Sequence, residues 1–157
     1  MRAKRPLSPD AAQVRAEELC ARADYSSGEI RERLIRWGIY PDEADRIVER
    51  MIDSRFIDDE RFARAFARDK IEYSRWGKRK VALSLYQKRV DRDIINDVLD
   101  EIDEEKYEAV LAAVLATKRR SIEEPDTYEG RTKLFRHAVS RGFEPDLVAK
   151  IIRSSRQ

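Results

Sequence analysis

The chain has 157 residues, 41% hydrophobic and 41% charged, with 33 Lys and Arg against 31 Asp and Glu. That balance is too apolar for general disorder, and no apolar run approaches the roughly 20 residues that span a bilayer. The single cysteine, Cys20, excludes an internal disulfide, and five glycines with five prolines leave little material for β-meanders or long loops.

Taken in chain order, the elements predicted are helices throughout. Residues 1–10, opening M-R-A-K-R-P with no apolar stretch behind the cations, read as a flexible N-terminus and not as a secretory signal. The expected compartment is the cytoplasm. A helix is expected over about 11–23. The segment Ser26–Val48 then reads as a helix, a turn at Gly38 and a second helix opened by Pro41. In the next unit F-I-D-D-E-R-F-A-R-A-F-A opens a longer helix. Asp58 is placed to cap it, Asp59 and Glu60 suit its positive end, and Ile57 could staple against Phe62. Phe62, Phe66 and Tyr73, with Ala63 and Ala67 beside them, form one stripe. The matching helix of the last unit is expected over 103–119, followed by a linker at 118–127, K-R-R-S-I-E-E-P-D-T.

These units are copies of one pattern. Ser26–Val48, Gly77–Leu99 and Gly130–Ile152 align without gaps, at offsets of 51 and 53 residues. Apolar residues coincide at Ile30/Val81/Leu134, Leu34/Leu85/Ala138, Ile39/Val90/Phe143 and Ile47/Val98/Ile151, while Gly38 matches Gly142 and Pro41 matches Pro145. The sequence therefore predicts an all-α protein of three tandem three-helix modules, 11–56, 57–102 and 103–157. Units of about 50 residues bury a marginal core alone, so neighbours should stack into an elongated, curved array.

Charge is segregated along this array. W-G-K-R-K-V-A-L-S-L-Y-Q-K-R, residues 76–89, holds five cations and no acid, whereas 91–105 holds eight acids and one Arg. If Gly77 caps its helix, Lys78, Arg79 and Lys80 occupy the first turn, where cations oppose the helix dipole. Arg131 and Lys133 repeat the arrangement behind Gly130, and Lys88, Arg89, Arg136 and Arg141 stand at the far ends. Module one instead has Ser26 and Glu29 at capping-box spacing. Two readings of the cations stand: a solvated face, or one anion-facing surface at helix ends with free N–H groups. Lys118, Arg119 and Arg120 close a long helix, where the dipole favours cations. Trp37, Trp76, Tyr40, Tyr86 and Tyr128 lie near the basic stretches and could stack on bases, although aromatics at helical spacing commonly fill cores.

Enzyme signatures are scarce. His137 is the only histidine, the glycines never cluster into a phosphate-cradling loop, and Asp58 with Asp59 is accounted for by capping. Cys20 beside Leu19 reads as a small buried hydrophobe. No catalytic residue, metal or cofactor is expected.

Three stretches resemble the RecX family of bacterial recombination regulators. They are A-R-A-D-Y-S-S-G-E-I-R-E-R-L-I-R-W-G, F-I-D-D-E-R-F-A-R-A-F and G-K-R-K-V-A-L-S-L-Y-Q-K-R-V, and the likeness runs over roughly residues 15–152. Arg89 departs from the pattern, standing where the family usually has Gly, which puts the module-two turn in question. The resemblance implies a non-enzymatic, all-helical protein of three three-helix repeats. It also implies binding to the RecA recombinase filament on single-stranded DNA, suppression of its ATPase and strand exchange, and weak single- or double-stranded DNA contact. A monomer with no membrane association is expected. Two other readings stay open: a helix-turn-helix transcriptional regulator, against which the net acidity of helices 41–52 and 91–102 speaks, and a pure protein scaffold.

Overall fold

A computed structural model of the chain describes residues 7–155. Among them are nine helices and no strand: α1 Pro9–Arg22, α2 Ser27–Arg36, α3 Pro41–Asp53, α4 Asp59–Glu72, α5 Lys78–Gln87, α6 Arg92–Asp100, α7 Glu104–Arg119, α8 Tyr128–Ser140 and α9 Pro145–Ser154. The expected all-α architecture and its repeat of three helices hold. Residues 1–6 of the expected flexible N-terminus lie outside the described residues. Residues 9 and 10 belong to α1, whose N-cap Ser8 accepts a hydrogen bond from the Ala11 amide, and Leu7 packs against the first core.

Local chemistry fixes the helix ends. Ser26 and Glu29 form a reciprocal capping box at α2, each side chain taking the other's backbone N–H. Pro41 and Pro145 open α3 and α9 at the position where a missing N–H costs nothing. Gly38 and Gly142 close α2 and α8 in the left-handed region, at φ +94° and +99°. Arg55, Arg75 and Arg89 take the same conformation after α3, α4 and α5, at φ 63°, 55° and 66°. The module-two turn thus keeps its geometry with an arginine in place of glycine, at a cost of about 1 kcal/mol.

Three expectations change in detail. Thr127 caps α8, accepting from the Gly130 amide, so the helix begins at Tyr128 and Gly130 lies inside it. Arg131 and Lys133 consequently sit beyond its first turn. Tyr73 leaves the α4 stripe: it ends the helix 80% exposed, and Ile71 takes the buried place. Ile57 does not staple onto Phe62, because it packs into the core of the module before it while Phe62 belongs to the core that follows.

That division is general. One hydrophobic cluster joins α1, α2 and α3 through Ile30, Leu34, Ile47 and Met51, with Ile57 closing it. A second runs without interruption through α4–α9, from Phe62 and Leu85 to Leu111, Phe143 and Val148. Modules two and three therefore share a core, with α4 packed on α7, and module one keeps its own. The principal helix contacts otherwise stay within a module, the pattern of a linear array in which each unit meets only its neighbours. No described helix is long and apolar enough to cross a membrane.

Candidate anion-binding surface

Of the nine cations singled out from sequence, Lys78, Arg79, Lys80, Lys88, Arg89 and Arg141 stand at two joints between modules, while Arg131, Lys133 and Arg136 lie on α8 inside module three; the joints share one plan. The start of a module's second helix meets the turn between the second and third helices of the next module. At the first joint the Ser26 hydroxyl donates to the Lys88 carbonyl, while the Ser27 amide and hydroxyl donate to Asp59 at 2.7 and 2.5 Å. At the second, the Gly77 amide donates to the Arg141 carbonyl at 2.8 Å and the Lys78 amide to the Tyr107 hydroxyl at 2.9 Å. Ser26 and Gly77 are equivalent in the repeat, as are Ser27 and Lys78, and Lys88 and Arg141. Asp59 and Tyr107 both come from the first helix of the following module.

The consequence for Lys78, Arg79 and Lys80 is direct. The Arg79 amide donates to the Gly142 carbonyl at 3.0 Å, so the first three donors of this helix start, from Gly77 to Arg79, are taken up by the neighbouring module. Backbone N–H groups that sequence would offer to an anion are already satisfied. The two carbonyls and the phenol oxygen that satisfy them offset the unfavourable placing of cations in the first turn.

Tyr107 anchors this second joint. It is buried, donates to the Glu144 carboxylate at 2.5 Å and lies against Phe143, with ring centroids 5.4 Å apart. Burial, then the hydrogen bond to Glu144, pushes the phenol far above the ordinary tyrosine range. The phenol ties α5, α7 and the start of α9 into one contact.

The side chains divide into two groups. Lys78 lies over the Tyr107 ring with its ammonium 4.9 Å from the centroid, and the Arg141 guanidinium donates to the carbonyls of Ser74 and Arg75. Arg89 pairs with Glu32 at 2.7 Å, Lys88 reaches Glu29 at 3.9 Å, and Arg131 donates to the Asp126 carbonyl. Arg79, Lys133 and Arg136 are exposed and make no ion pair among the described residues. Arg131 and Arg136 line a shallow groove between α8 and α9 with Tyr128, Phe135 and Arg153. Nearby, burial and then the charges of Lys118 and Arg141 lower the pKa of His137.

Lys70 was not singled out from sequence, yet it belongs with these residues. Its ammonium is 5.6 Å from the Phe66 ring centroid and 5.0 Å from that of Trp76. Lys80 lies 4.5 Å over Trp76, and Lys88 5.7 Å from Phe66. Of the aromatics proposed to meet bases, Trp37 and Trp76 are half-buried and Tyr40, Tyr86 and Tyr128 are exposed. The Arg15 guanidinium covers Trp37 at 4.5 Å. Cys20 is half-buried against the first core, and burial pushes its thiol up, which disfavours the nucleophilic thiolate. Among the described residues no group of three or more His, Cys, Asp and Glu is placed to hold a metal ion.

Two family models match the chain: "RecX, first three-helix domain" over residues 12–51 and "RecX, second three-helix domain" over 58–99. Among curated proteins it is similar to the Regulatory protein RecX of Clostridium botulinum (strain Eklund 17B / Type B), 30% identical over 130 residues, covering 81% of this chain and 60% of that protein. It is likewise similar to the Regulatory protein RecX of Prosthecochloris aestuarii, 30% identical over 129 residues, covering 82% of this chain and 83% of that one. The chain spans about 60% of the length of the clostridial relatives it matches. The crystal structure of RecX from Lactobacillus salivarius superposes with a TM-score of 0.85 over 93% of this chain and 95% of that one. At 20% identity that likeness establishes the fold.

Proposed function

The chain belongs to the RecX family, and on that premise we propose that it regulates recombination by binding the RecA filament on single-stranded DNA and suppressing its ATPase and strand exchange. The observation that carries the reading is the match to both RecX three-helix domains, which together span most of α1–α6. The regulator acts by binding; catalysis has no part in it. It works as a monomer in the cytoplasm, with direct DNA contact weaker than contact with the recombinase.

A linear array of modules suits a helical groove, because it can follow the groove while each module presents an equivalent face. The basic residues Lys78, Arg79, Lys80, Lys88, Arg89, Arg131, Lys133, Arg136 and Arg141 serve this surface in two ways. The joint residues set the angle between modules, and the outward cations Arg79, Lys133 and Arg136 meet acidic recombinase surface or phosphate. The acidic α6 with its flanks, residues 91–105, faces elsewhere.

The test is recombinase ATPase on single-stranded DNA, with and without this protein. Inhibition at concentrations comparable to the recombinase is expected, and its absence removes the reading. Replacing Arg79, Lys133 and Arg136 together by Gln should keep the fold, since exposed substitutions rarely cost more than about 0.5 kcal/mol each. Inhibition should weaken and become less salt-sensitive. The same change at Arg46 and Arg50, which pair with Glu43 on α3, should do much less.

A further inference from the structure

The receiving half of a joint occurs three times in the chain and is covered twice. Trp37, Lys88 and Arg141 are equivalent in the repeat, as are Gly38, Arg89 and Gly142. In modules two and three the carbonyls of this turn accept from the helix start of the module before: Lys88 from the Ser26 hydroxyl, Arg141 from the Gly77 amide, Gly142 from the Arg79 amide. In module one no described backbone amide donates to the Trp37 or Gly38 carbonyl. Gly38 is exposed, whereas Gly142, in the same left-handed conformation, is buried against Lys80. Tyr40 completes the contrast. Its equivalents serve the fold: Asp91 caps α6, and the Glu144 carboxylate accepts from the Tyr107 hydroxyl. Tyr40 stands at the N-cap of α3, yet its side chain caps nothing and is 82% exposed. Two cations flank the turn. Arg15 lies over the Trp37 ring and Arg36 precedes Trp37 in the chain; both are exposed, and neither makes an ion pair among the described residues.

We propose that the turn at residues 37–40 is a docking surface for a partner protein, which fills it with the first turn of a helix capped by Ser or Gly and carrying an acid. The cap follows from the two filled copies, where Ser26 and Gly77 stand at the contact. A side chain on Gly77 would strike the backbone of Gly142 and Phe143, so the approach admits only a small residue there. Incoming amides would face the carbonyl end of α2, bringing the positive end of one helix dipole to the negative end of another. The acid follows from charge: Arg15 and Arg36 repel a bare helix start and pair with a carboxylate in its first turn. The first joint already holds such a pair, Glu29 of α2 with Lys88 of the receiving turn at 3.9 Å. Trp37 and Tyr40 add the aromatic surface that interfaces favour. A second copy of the chain has no second helix free to offer. The starts of α2 and α5 are engaged, and Gly130 of α8 lies against Glu124 and Pro125. Neither recombinase nor nucleic acid enters this contact.

The test titrates the full chain, labelled for amide NMR, with an acetylated helical peptide opening Ser-Ala-Glu-Glu. A side-chain staple in the peptide removes the cost of nucleating an isolated helix. Saturable shifts are expected at residues 36–40 and the Trp37 indole, with the amides of α4–α9 unmoved. No saturation by about 1 mM peptide overturns the docking surface. The same peptide with Pro at its second and third positions keeps the acids and loses two first-turn amides. If it binds as tightly, the contact is charge alone and the helix start is wrong. Self-association of the chain through the same residues, in the absence of peptide, would show that a second copy fills the turn and would overturn the partner. Gly38→Asn, a residue that tolerates the left-handed region, sets a side chain where Gly142 meets Lys80 at the second joint. It should lower peptide affinity about tenfold or more while circular dichroism stays unchanged. Arg15→Gln with Arg36→Gln, both on the surface, should lower it about fivefold and leave the fold intact. Unchanged affinity in both variants sinks the assignment.

Discussion

The two joints of this array are built to the same register from different chemistry. At the first, side chains make the contact: Ser26, Ser27, Asp59 and the Arg89–Glu32 pair, all near solvent apart from buried Ser26, between modules with separate cores. At the second, backbone amides meet backbone carbonyls around a buried tyrosine, and one apolar cluster runs through both modules. Even the glycines are placed oppositely. The first joint has Arg89 in the turn and Gly28 on the facing helix, where a side chain on Gly28 would fall on the Arg89 Cβ; the second has Gly142 in the turn and Lys80 on the helix facing it. Close approach demands at least one glycine per joint: Gly28 at the first, and both Gly142 and Gly77 at the second, so either partner can supply it. The lesson is that a repeat conserves the distance between modules while leaving open which residue makes room. The first joint is thereby the softer one.

The largest effect should come from Gly77→Ala, because the new methyl would overlap the Gly142 carbonyl and the Phe143 amide, both backbone. A loss of about 2–4 kcal/mol is expected in urea unfolding, with faster amide exchange across α4–α9. Tyr107→Phe should cost about 1–3 kcal/mol by leaving the Lys78 amide and Glu144 without their partner. It also carries a pH signature. The phenol's pKa is raised in the folded state, so its contribution is complete below about pH 10, the unfolded value, and falls as pH rises beyond it. Above pH 10 the parent should lose stability more steeply than the variant; parallel curves would show that the hydroxyl is not held as described.

Asp59→Asn tests the softer joint. It weakens two bonds from Ser27 and should cost about 1 kcal/mol, seen as faster exchange in α1–α3 with α4–α9 unchanged. Uniform acceleration would mean that the two cores unfold together. The smallest effect is a coupling. Gly28→Ala should destabilise, Arg89→Gly should be near neutral because it removes a left-handed arginine and an exposed ion pair at once, and the double variant should recover about 1 kcal/mol relative to the sum. An additive cycle would break the idea that one glycine substitutes for the other.

The helices were legible because their signals are local. Ile30 with Leu34, Gly38 before Pro41, and the same pairings near Gly142 and Pro145 are read within one or two turns. What failed was set by competition over similar distances: Thr127 outbid Gly130 as the cap of α8, and Ile57 turned back to the first core. The joints were not legible. Ser26 meets Lys88 across 62 residues and Arg141 reaches Ser74 across 67, and no periodicity in the chain announces either. For the candidate surface, sequence found the basic stretch but read its helix start as open. Lys70 escaped because α4 mixes both signs of charge, with Asp69 directly before it, and it acquires its neighbours only when α4 and α5 fold together.

The third copy of the joint surface is occupied from within the module. Gly130, equivalent to Gly77, backs onto the Glu124 carbonyl and Pro125, so the chain's own connection after α7 fills the space that a following turn fills at Gly77. In polymer terms the growing end is blocked by an internal group. Any further module, in this chain or in a longer one, would have to attach by some other rule. Lengthening residues 121–126 with glycine would draw that connection away from Gly130 and uncover the surface that Gly77 offers to a following turn.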